Sequence, residues 1–231
     1  MELKVIAYAR NGHTDKFGIP RQSRDESPIL THIVFEPEYR VREALRGIEG
    51  FSHLWLIWGF SKAETWSPTV RPPRLGGNIR MGVFATRSPF RPNPLGLSSV
   101  RLICVQDNEL IVSGADLLDG SPIYDIKPYL SFSDSHPDAQ NGFAEEHKDD
   151  RLPVTYNQSP ITSYQSPLTS IPEDIRRDIE YILSQDPRPA YQEDPDRDYK
   201  LEYAGYKVTF CVQEQCVLVK SIKSYKNVLF Y

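Results

Sequence analysis

The sequence predicts a mainly β fold in which a large β domain is followed by a small α+β lobe. Six short segments of strand length, separated by stretches that contain Gly, Pro, Asn and Asp, recur along the first 130 residues. Helical spacing is rare there, which disfavours a doubly wound parallel sheet. A polar, proline-rich stretch then precedes a second group of strands and one helix. We therefore expect a domain at 1–135, a connection at 136–169 and a lobe at 170–231 of this 231-residue chain.

The elements expected in the larger domain follow one another at short intervals. The predicted strands are residues 3–10, 32–36, 51–60, 81–86, 97–105 and 109–113. Apolar residues at helical spacing predict one short helix over residues 41–48, ended near Gly50. Asp107 and Asn108 form a turn signal, so the last two of these strands are expected to form a hairpin.

The second lobe has one predicted helix and a few strands. Residues 170–173 (SIPE) resemble a capping box, and isoleucines at helical spacing mark one face of a helix that ends near Ser184. Alternating segments at 201–212 and 216–222 predict strands, and a further short strand is expected at 228–231. The connection before the helix is expected to carry at most one short strand, around Val154.

An arginine-rich stretch at residues 71–101 is the most distinctive part of the sequence. It carries six arginines, and no Asp or Glu occurs between Thr65 and Gln106, although the whole chain has a net charge of −4. They are Arg71, Arg74, Arg80, Arg87, Arg91 and Arg101. Prolines between these arginines favour a stiff, non-helical loop. Arginines without carboxylate partners are suited to an anionic ligand. The alternative is that carboxylates from elsewhere in the fold pair with them.

A second candidate stretch is DLLDGSPIYDIKPY, at residues 116–129. Asp119 and Gly120 form a two-residue turn signal, which is expected to place Asp116, Asp119 and Asp125 around one tip. The alternative, favoured by the residues alone, is that Asp119 serves only the geometry of the turn.

Several classes of site are excluded because their motifs are missing from the sequence. The chain has no phosphate-binding P-loop, no dinucleotide fingerprint, no H-E-x-x-H, no paired C-x-x-C and no G-x-S-x-G. An odd number of cysteines, three, at no metal-like spacing favours a reducing compartment and no metal. The longest apolar run, residues 54–60, is too short to span a bilayer. A cytoplasmic protein without a membrane segment is therefore expected.

Five segments together resemble the TsaA-like family of tRNA methyltransferases. They are GVFATRSPFRPNPLGLS, TVRPPRLGGN, DLLDGSPIYDIKPYL, QDPRPAY and the triplet at residues 20–22, PRQ. The resemblance implies a single-sheet β-barrel, S-adenosylmethionine as methyl donor and a homodimer with its cofactor site near the subunit interface. It also implies methylation of the exocyclic nitrogen of threonylcarbamoyladenosine, just 3′ of the anticodon.

The resemblance also implies site residues, most of which lie in the matching segments; Ser61 and Lys62, at the end of the aromatic strand, lie outside them and depart from the family's pattern. The implied cofactor-binding residues are Pro20, Arg21, Gln22, Ser61, Lys62, Arg87, Leu97, Leu118, Asp119, Gly120 and Ser121. Asp119 or Asp125 is expected to accept the proton released from the attacking nitrogen. We expect tRNA to contact Arg71, Arg74, Arg80, Arg91, Arg188 and Tyr191.

Two alternative functions stay open at this point. One is a methyltransferase of the same scaffold that acts on a small molecule or on a different nucleic acid. The other is a non-enzymatic module that binds S-adenosylmethionine or RNA as a sensor.

Overall fold

Six strands close into an antiparallel barrel. In chain order they are β1 (Ala7–Arg10), β2 (Leu30–Phe35), β3 (His53–Gly59), β6 (Leu95–Gln106), β7 (Glu109–Ser113) and β8 (Pro122–Pro128). Around the barrel the order is β1-β2-β7-β6-β3-β8, and β8 pairs with β1 to complete the ring. A short pair, β4 (Thr69–Val70) and β5 (Met81–Gly82), lies between β3 and β6, and helix α1 (Ser131–Asp134) follows β8.

The computed structural model describes residues 2–15, 17–20, 22–72, 75, 78–147, 151–156, 171–188, 194–195 and 197–225. The chain folds into two compact units, and the first comprises Met1–Asn11 and Arg21–Lys148. In the described part of the chain, no helix has the length and apolarity that crossing a membrane requires.

The barrel interior is filled by the inward-facing side chains of its strands. On β3, Leu54, Leu56 and Trp58 are buried, whereas His53 and Trp55 face outwards. This period of two is what a strand with one core-facing side requires. Closure also leaves none of the six strands as a free edge, so the barrel is a self-contained scaffold for its loops.

In its described residues, the second unit combines one helix with a four-stranded sheet. Its elements are β9 (Val154–Tyr156), α2 (Glu173–Ser184), β10 (Tyr199–Tyr203), β11 (Tyr206–Gln213) and β12 (Cys216–Ser224). The strand order is β10-β11-β12-β9, with β9 parallel to β12 and the other pairs antiparallel. Ile179 and Ile182 on the apolar side of α2 are buried. The strand expected around Val154 is present as β9.

A short segment from near the N-terminus, Gly12–Pro20, also belongs to the second unit. The carbonyl of Gly12 accepts a hydrogen bond from the Ala204 amide at 3.0 Å, and the ring of His13 lies edge-on to Tyr203 with centroids 5.2 Å apart. A Cβ atom at Gly18 would lie 2.2 Å from Leu201 Cδ1, so this segment packs closely on β10. The sequence gives no signal for this assignment.

The predicted mainly β class is confirmed, and three local predictions are wrong. Residues 41–48 form no α-helix but the 3-10 turn Arg42–Leu45, and a second such turn, Ile48–Gly50, follows because Gly47 adopts φ 88°.

The other two corrections concern strand lengths. The strand expected at 81–86 ends at Gly82, because the amide of Val83 donates to the Pro68 carbonyl at 3.0 Å and a 3-10 turn begins. The single strand expected at 201–212 is a hairpin, since Ala204 and Gly205 both have positive φ. Ser170 of the predicted capping box and the predicted strand at 228–231 lie outside the described residues.

Candidate active site

Three connections meet at the same end of the barrel strands. They are residues 22–29 before β2, residues 60–94 between β3 and β6, and residues 114–121 between β7 and β8. Neighbouring antiparallel strands run in opposite directions, and the register pairs Gly59 with Leu95 and Tyr8 with Pro122 at this end. The fold therefore gathers on one rim most of the residues predicted to bind the cofactor.

Arg87 links two of these loops. Its guanidinium donates a hydrogen bond to Gln22 Oε1 at 2.7 Å, although the two residues are 65 positions apart. Arg87 is exposed and forms no ion pair with a carboxylate of the described residues. An exposed guanidinium that is oriented by a neutral amide keeps its charge available for an anion.

The turn at residues 118–121 is tied to the end of β1. Asp119 Oδ1 accepts a hydrogen bond from the Asn11 amide at 3.1 Å, and Arg10 Nη1 lies 3.9 Å from the other carboxylate oxygen. Gly120 has φ 78°, a left-handed conformation that favours glycine, and its amide donates to the Ala9 carbonyl at 2.8 Å. The turn is thus a rigid part of the rim.

Asp116 forms the inner end of a polar chain with Ser98 and Trp58, two residues that the sequence did not single out as part of the site. The indole Nε1 of Trp58 donates to Ser98 Oγ at 2.9 Å, and the Ser98 hydroxyl donates to Asp116 Oδ1. Burial raises the pKa of the Asp116 carboxyl above its usual value, while the Ser98 hydrogen bond and the charge of Arg87 act in the opposite direction. The rim therefore holds a partly buried carboxyl within the influence of Arg87.

The three aspartates predicted around one tip are not all there. Asp125 lies within β8, opposite Ile57 of β3, and not in the turn that contains Asp119. Its Oδ1 accepts a hydrogen bond from the Ile126 amide at 2.9 Å, and Lys127 Nζ is 3.0 Å from its other oxygen. The prediction fails because the turn ends at Ser121, and the strand that follows carries Asp125 away along the barrel wall.

The remaining predicted cofactor residues have varied surroundings. Ser61 and Lys62 are exposed and follow β3 directly, and Leu97 is 56% exposed on β6. Leu118 is partly buried and Ser121 is buried. Pro20 is buried and belongs to the second unit, and Arg21 lies outside the described residues.

The arginines of the long loop fall into different environments. Arg71 and Arg80 are exposed, and in the described part of the chain neither forms an ion pair. Arg91 donates from Nη1 to the carbonyls of Thr86 and Val83, at 2.7 and 3.1 Å, so it braces its own loop. Arg74 lies outside the described residues.

The expectation of arginines without carboxylate partners is wrong for Arg101. Its guanidinium donates two hydrogen bonds to Asp25, one from Nε at 2.7 Å. His53 Nε2 lies 3.0 Å from the same carboxylate, and these two partners hold the pKa of Asp25 well below its usual value. Asp25 is 76 positions away in sequence, so inspection of the arginine segment alone does not find it.

The arginine of the second unit that we expected to contact tRNA also has an acidic neighbour. Arg188, just after α2, contacts both carboxylate oxygens of Asp186, at 2.7 and 2.8 Å. Its charge is therefore largely compensated. Tyr191 lies outside the described residues. Within the described ranges, no cluster of three or more His, Cys, Asp or Glu side chains is arranged to hold a metal ion.

Comparison with known protein families assigns both parts of the chain. Residues 8–135 match the model of the tRNA-methyltransferase O N-terminal domain, and residues 149–225 match the model of the TrmO C-terminal domain. The chain belongs to the tRNA-methyltransferase O family. The resemblance to TsaA-like tRNA methyltransferases predicted from the sequence motifs is thereby confirmed.

Curated tRNA-methyltransferase O relatives are similar over most of their length. A tRNA (adenine(37)-N6)-methyltransferase of Escherichia coli K12 is 40% identical over 197 residues, which cover 83% of each chain. A protein of the same name from Eikenella corrodens is 45% identical over 177 residues, which cover 74% of this chain and 97% of the relative.

A solved tRNA-methyltransferase O structure has the same fold. The crystal structure of TrmO from Pseudomonas aeruginosa superposes with a TM-score of 0.78 at 30% identity, and the match covers 97% of this chain and 99% of that one. The predicted single-sheet β-barrel is thus confirmed both by the closed six-strand ring and by the related structure.

Proposed function

We propose that this protein is an S-adenosylmethionine-dependent tRNA methyltransferase that acts on the exocyclic nitrogen of adenosine 37. The substrate we assign is the threonylcarbamoyl-modified form of that adenosine. Family membership and the names of the curated relatives support this assignment. The structural observation that carries it is the rim on which Arg87, braced by Gln22, and the 118–121 turn meet at one end of the barrel.

The residues of the rim fit S-adenosylmethionine chemically. Arg87 is an exposed guanidinium suited to the carboxylate of the methionine moiety. Asp119 can accept hydrogen bonds from ribose hydroxyls, and the left-handed backbone at Gly120 allows close approach to a ligand. Leu97 and Leu118 offer apolar contacts to the adenine. We assign supporting contacts to Pro20, Arg21, Gln22, Ser61, Lys62 and Ser121.

The chain contributes to methyl transfer mainly by orientation. S-adenosylmethionine supplies a methyl group on a sulfonium, which is a good leaving group. The rim loops would position both reactants for in-line attack, and such positioning accounts for a large part of the rate acceleration. A carboxylate is then needed to take the proton that the exocyclic nitrogen releases. We assign this role to Asp119 over Asp125, because Asp119 lies on the rim turn and Asp125 lies within β8 beside Lys127.

Binding of tRNA is assigned to the arginines of the long loop. Arg71 and Arg80 are exposed, which suits contacts with phosphate groups. We also propose tRNA contacts for Arg74, Arg91, Arg188 and Tyr191. The affinity for tRNA is therefore expected to fall as salt concentration rises, because phosphate contacts release counterions. We place this reaction in the cytoplasm.

A homodimer is the assembly that we propose. Three apolar side chains of β6 are exposed: Leu95 is 38% exposed, Leu97 56% and Ile103 48%. Exposed apolar side chains are common at interfaces between subunits. Leu97 is also a proposed cofactor contact, in keeping with a cofactor site near the subunit interface. Sedimentation of wild type and of an Ile103→Glu variant tests this: wild type at the mass of one chain contradicts it.

One experiment tests the whole proposal. Purified protein is incubated with labelled S-adenosylmethionine and with tRNA from a strain that lacks the gene, and the labelled nucleoside is identified by mass spectrometry. We expect a label on N6-methylated threonylcarbamoyladenosine. A label on another nucleoside would reassign the substrate. Binding of S-adenosylmethionine without transfer to any tRNA would instead support a sensor.

A further inference from the structure

Phe84 is an apolar side chain that a firmly tied turn holds out into solvent. Its side chain is 74% exposed, whereas the adjacent Val83 is 1% exposed. The Val83 amide donates to the Pro68 carbonyl at 3.0 Å, and the Thr86 hydroxyl donates to the Val83 carbonyl at 2.9 Å. The turn is thus anchored on the inside while its ring points outwards. A phenyl ring in water adds no hydrophobic stability to the fold.

The ring of Phe84 is supported on one side by a fixed cation. The guanidinium carbon of Arg91 lies 5.5 Å from the ring centroid, within cation–π distance. Arg91 cannot easily move away, because its Nη1 donates to the carbonyls of Thr86 and Val83. Phe84 therefore offers an open, flat surface whose back is held by Arg91.

The same loop carries two further exposed aromatic side chains. Trp66 is 56% exposed and Phe90 is 46% exposed, and the Ser67 amide donates to the Phe90 carbonyl at 3.1 Å, which holds the two segments together. Exposed aromatic rings interspersed with arginines are typical of surfaces that bind single-stranded RNA, on which unpaired bases stack.

The positive charge of the loop favours an RNA over a second copy of the chain as the partner that covers the Phe84 surface. The loop carries arginines and, from residue 65 to residue 106, no carboxylate. Two copies that met through this surface would bring arginines against arginines, whereas the phosphates that flank a stacked base would be attracted.

We propose that Phe84, backed by Arg91, is a stacking platform for one unpaired base of the tRNA anticodon loop. This inference rests on the proposed function and adds to it a residue that holds the anticodon loop of the tRNA. Stacking on a rigid ring holds a splayed base in place at little entropic cost, and it tolerates any base because every base has a π-face. Phe84 is thus a substrate-positioning residue, distinct from the residues assigned to the cofactor.

The test uses a synthetic anticodon stem-loop RNA that carries 2-aminopurine in its loop, because stacking quenches the fluorescence of this base analogue. We expect the wild-type protein to quench the fluorescence. We expect Phe84→Leu to lose the quenching and to bind the RNA about tenfold more weakly, the scale of one lost base stack. Phe84→Tyr, which keeps a ring, should behave as the wild type does.

Phe132→Leu is the matched control. Phe132 is 86% exposed in α1, after the C-terminal end of β8 and outside the arginine loop. Its replacement should change neither quenching nor affinity. Calorimetry with S-adenosylmethionine should give wild-type binding for both leucine variants.

The outcomes separate this inference from the function on which it rests. If the wild type methylates tRNA and Phe84→Leu quenches and binds as the wild type does, the stacking role is overturned and the function stands. If Phe84→Leu shifts the protein to a smaller mass in sedimentation, the ring belongs to a subunit contact and the inference is also wrong. If the wild type methylates no tRNA, the proposed function fails first.

Discussion

At the scale of single residues, Arg87 is the side chain on which the proposed site depends most. We expect Arg87→Ala to lower the affinity for S-adenosylmethionine by about ten- to a hundredfold, the usual range for a lost hydrogen bond to a charged group, and to abolish methyl transfer. Arg87 is exposed, so the fold should be unaffected. Calorimetry, a transfer assay and a thermal melt measure the three quantities.

The control for Arg87 is another exposed cation in the other unit. Lys223 lies near the end of β12, and Lys223→Ala should bind the cofactor as the wild type does. Near-normal turnover by Arg87→Ala would refute the role given to that arginine.

Asp116 gives the site a pH-dependent contribution to stability. The pKa of its carboxyl is raised by burial, so the folded state favours the protonated form. A raised folded pKa contributes stability below the ordinary aspartate pKa, and this contribution is lost as pH rises through the folded value. Asp116→Asn should therefore become more stable relative to the wild type as pH rises from 3 to 7, as measured by urea midpoints. A constant difference would contradict this.

The pairing of residues across the fold is what the sequence could not supply. The arginine loop and the Asp-Gly turn are visible as local patterns, and the structure brings both to one rim. The partners of individual side chains are distant in sequence, as Asp25 is from Arg101 and Ser98 is from Trp58. Neither hydrogen bond leaves a local pattern, because each depends on which strands become neighbours.

At the scale of elements, the packing of β6 on β3 depends on a glycine. A Cβ atom at Gly96 would lie 2.2 Å from the indole of Trp58, whose Nε1 is already engaged by Ser98. We expect Gly96→Ala to destabilise the barrel by about 1–3 kcal/mol through overpacking.

Gly82 provides the matched control, since a Cβ there meets nothing within 4 Å. Gly82→Ala should change the urea midpoint little. Equal midpoints for the two variants would show that β6 adjusts without cost.

The elements that the sequence predicted well are those in which the local residue pattern and the tertiary contacts favour the same structure. Burial alternates along β3 and along the first half of β6, as expected of strands with one side in the core. Residues 41–48 have helical spacing over barely two turns, which is too little to compensate for Gly47 and for the contacts of Leu45 and Ile48 with the barrel core. Tertiary contacts therefore determine that this segment forms 3-10 turns and no α-helix.

At the scale of the whole molecule, the second unit should lose stability in mild acid. His13 is 1% exposed and its burial lowers its pKa from 6.5 to about 4. Between pH 6.5 and about 4, His13 is protonated in the unfolded chain and stays neutral in the folded chain. The free energy of unfolding therefore falls as pH falls, by about 3 kcal/mol in total.

Urea midpoints at pH 7, 5.5 and 4.5 test this for wild type and His13→Gln. The variant should lose less stability than the wild type over this range. His136→Gln, at an exposed histidine, should keep the wild-type slope. Parallel slopes for all three proteins would rule out a contribution from His13.

The contribution of Gly12–Pro20 to the second unit means that no single cut separates this protein into two independent pieces. A fragment that began at residue 149 would leave the Ala204 amide without its Gly12 acceptor and would uncover Leu201 and Tyr203. A recombinant C-terminal half is therefore expected to be insoluble. Fusing this half to another enzyme would require the Gly12–Pro20 segment as well.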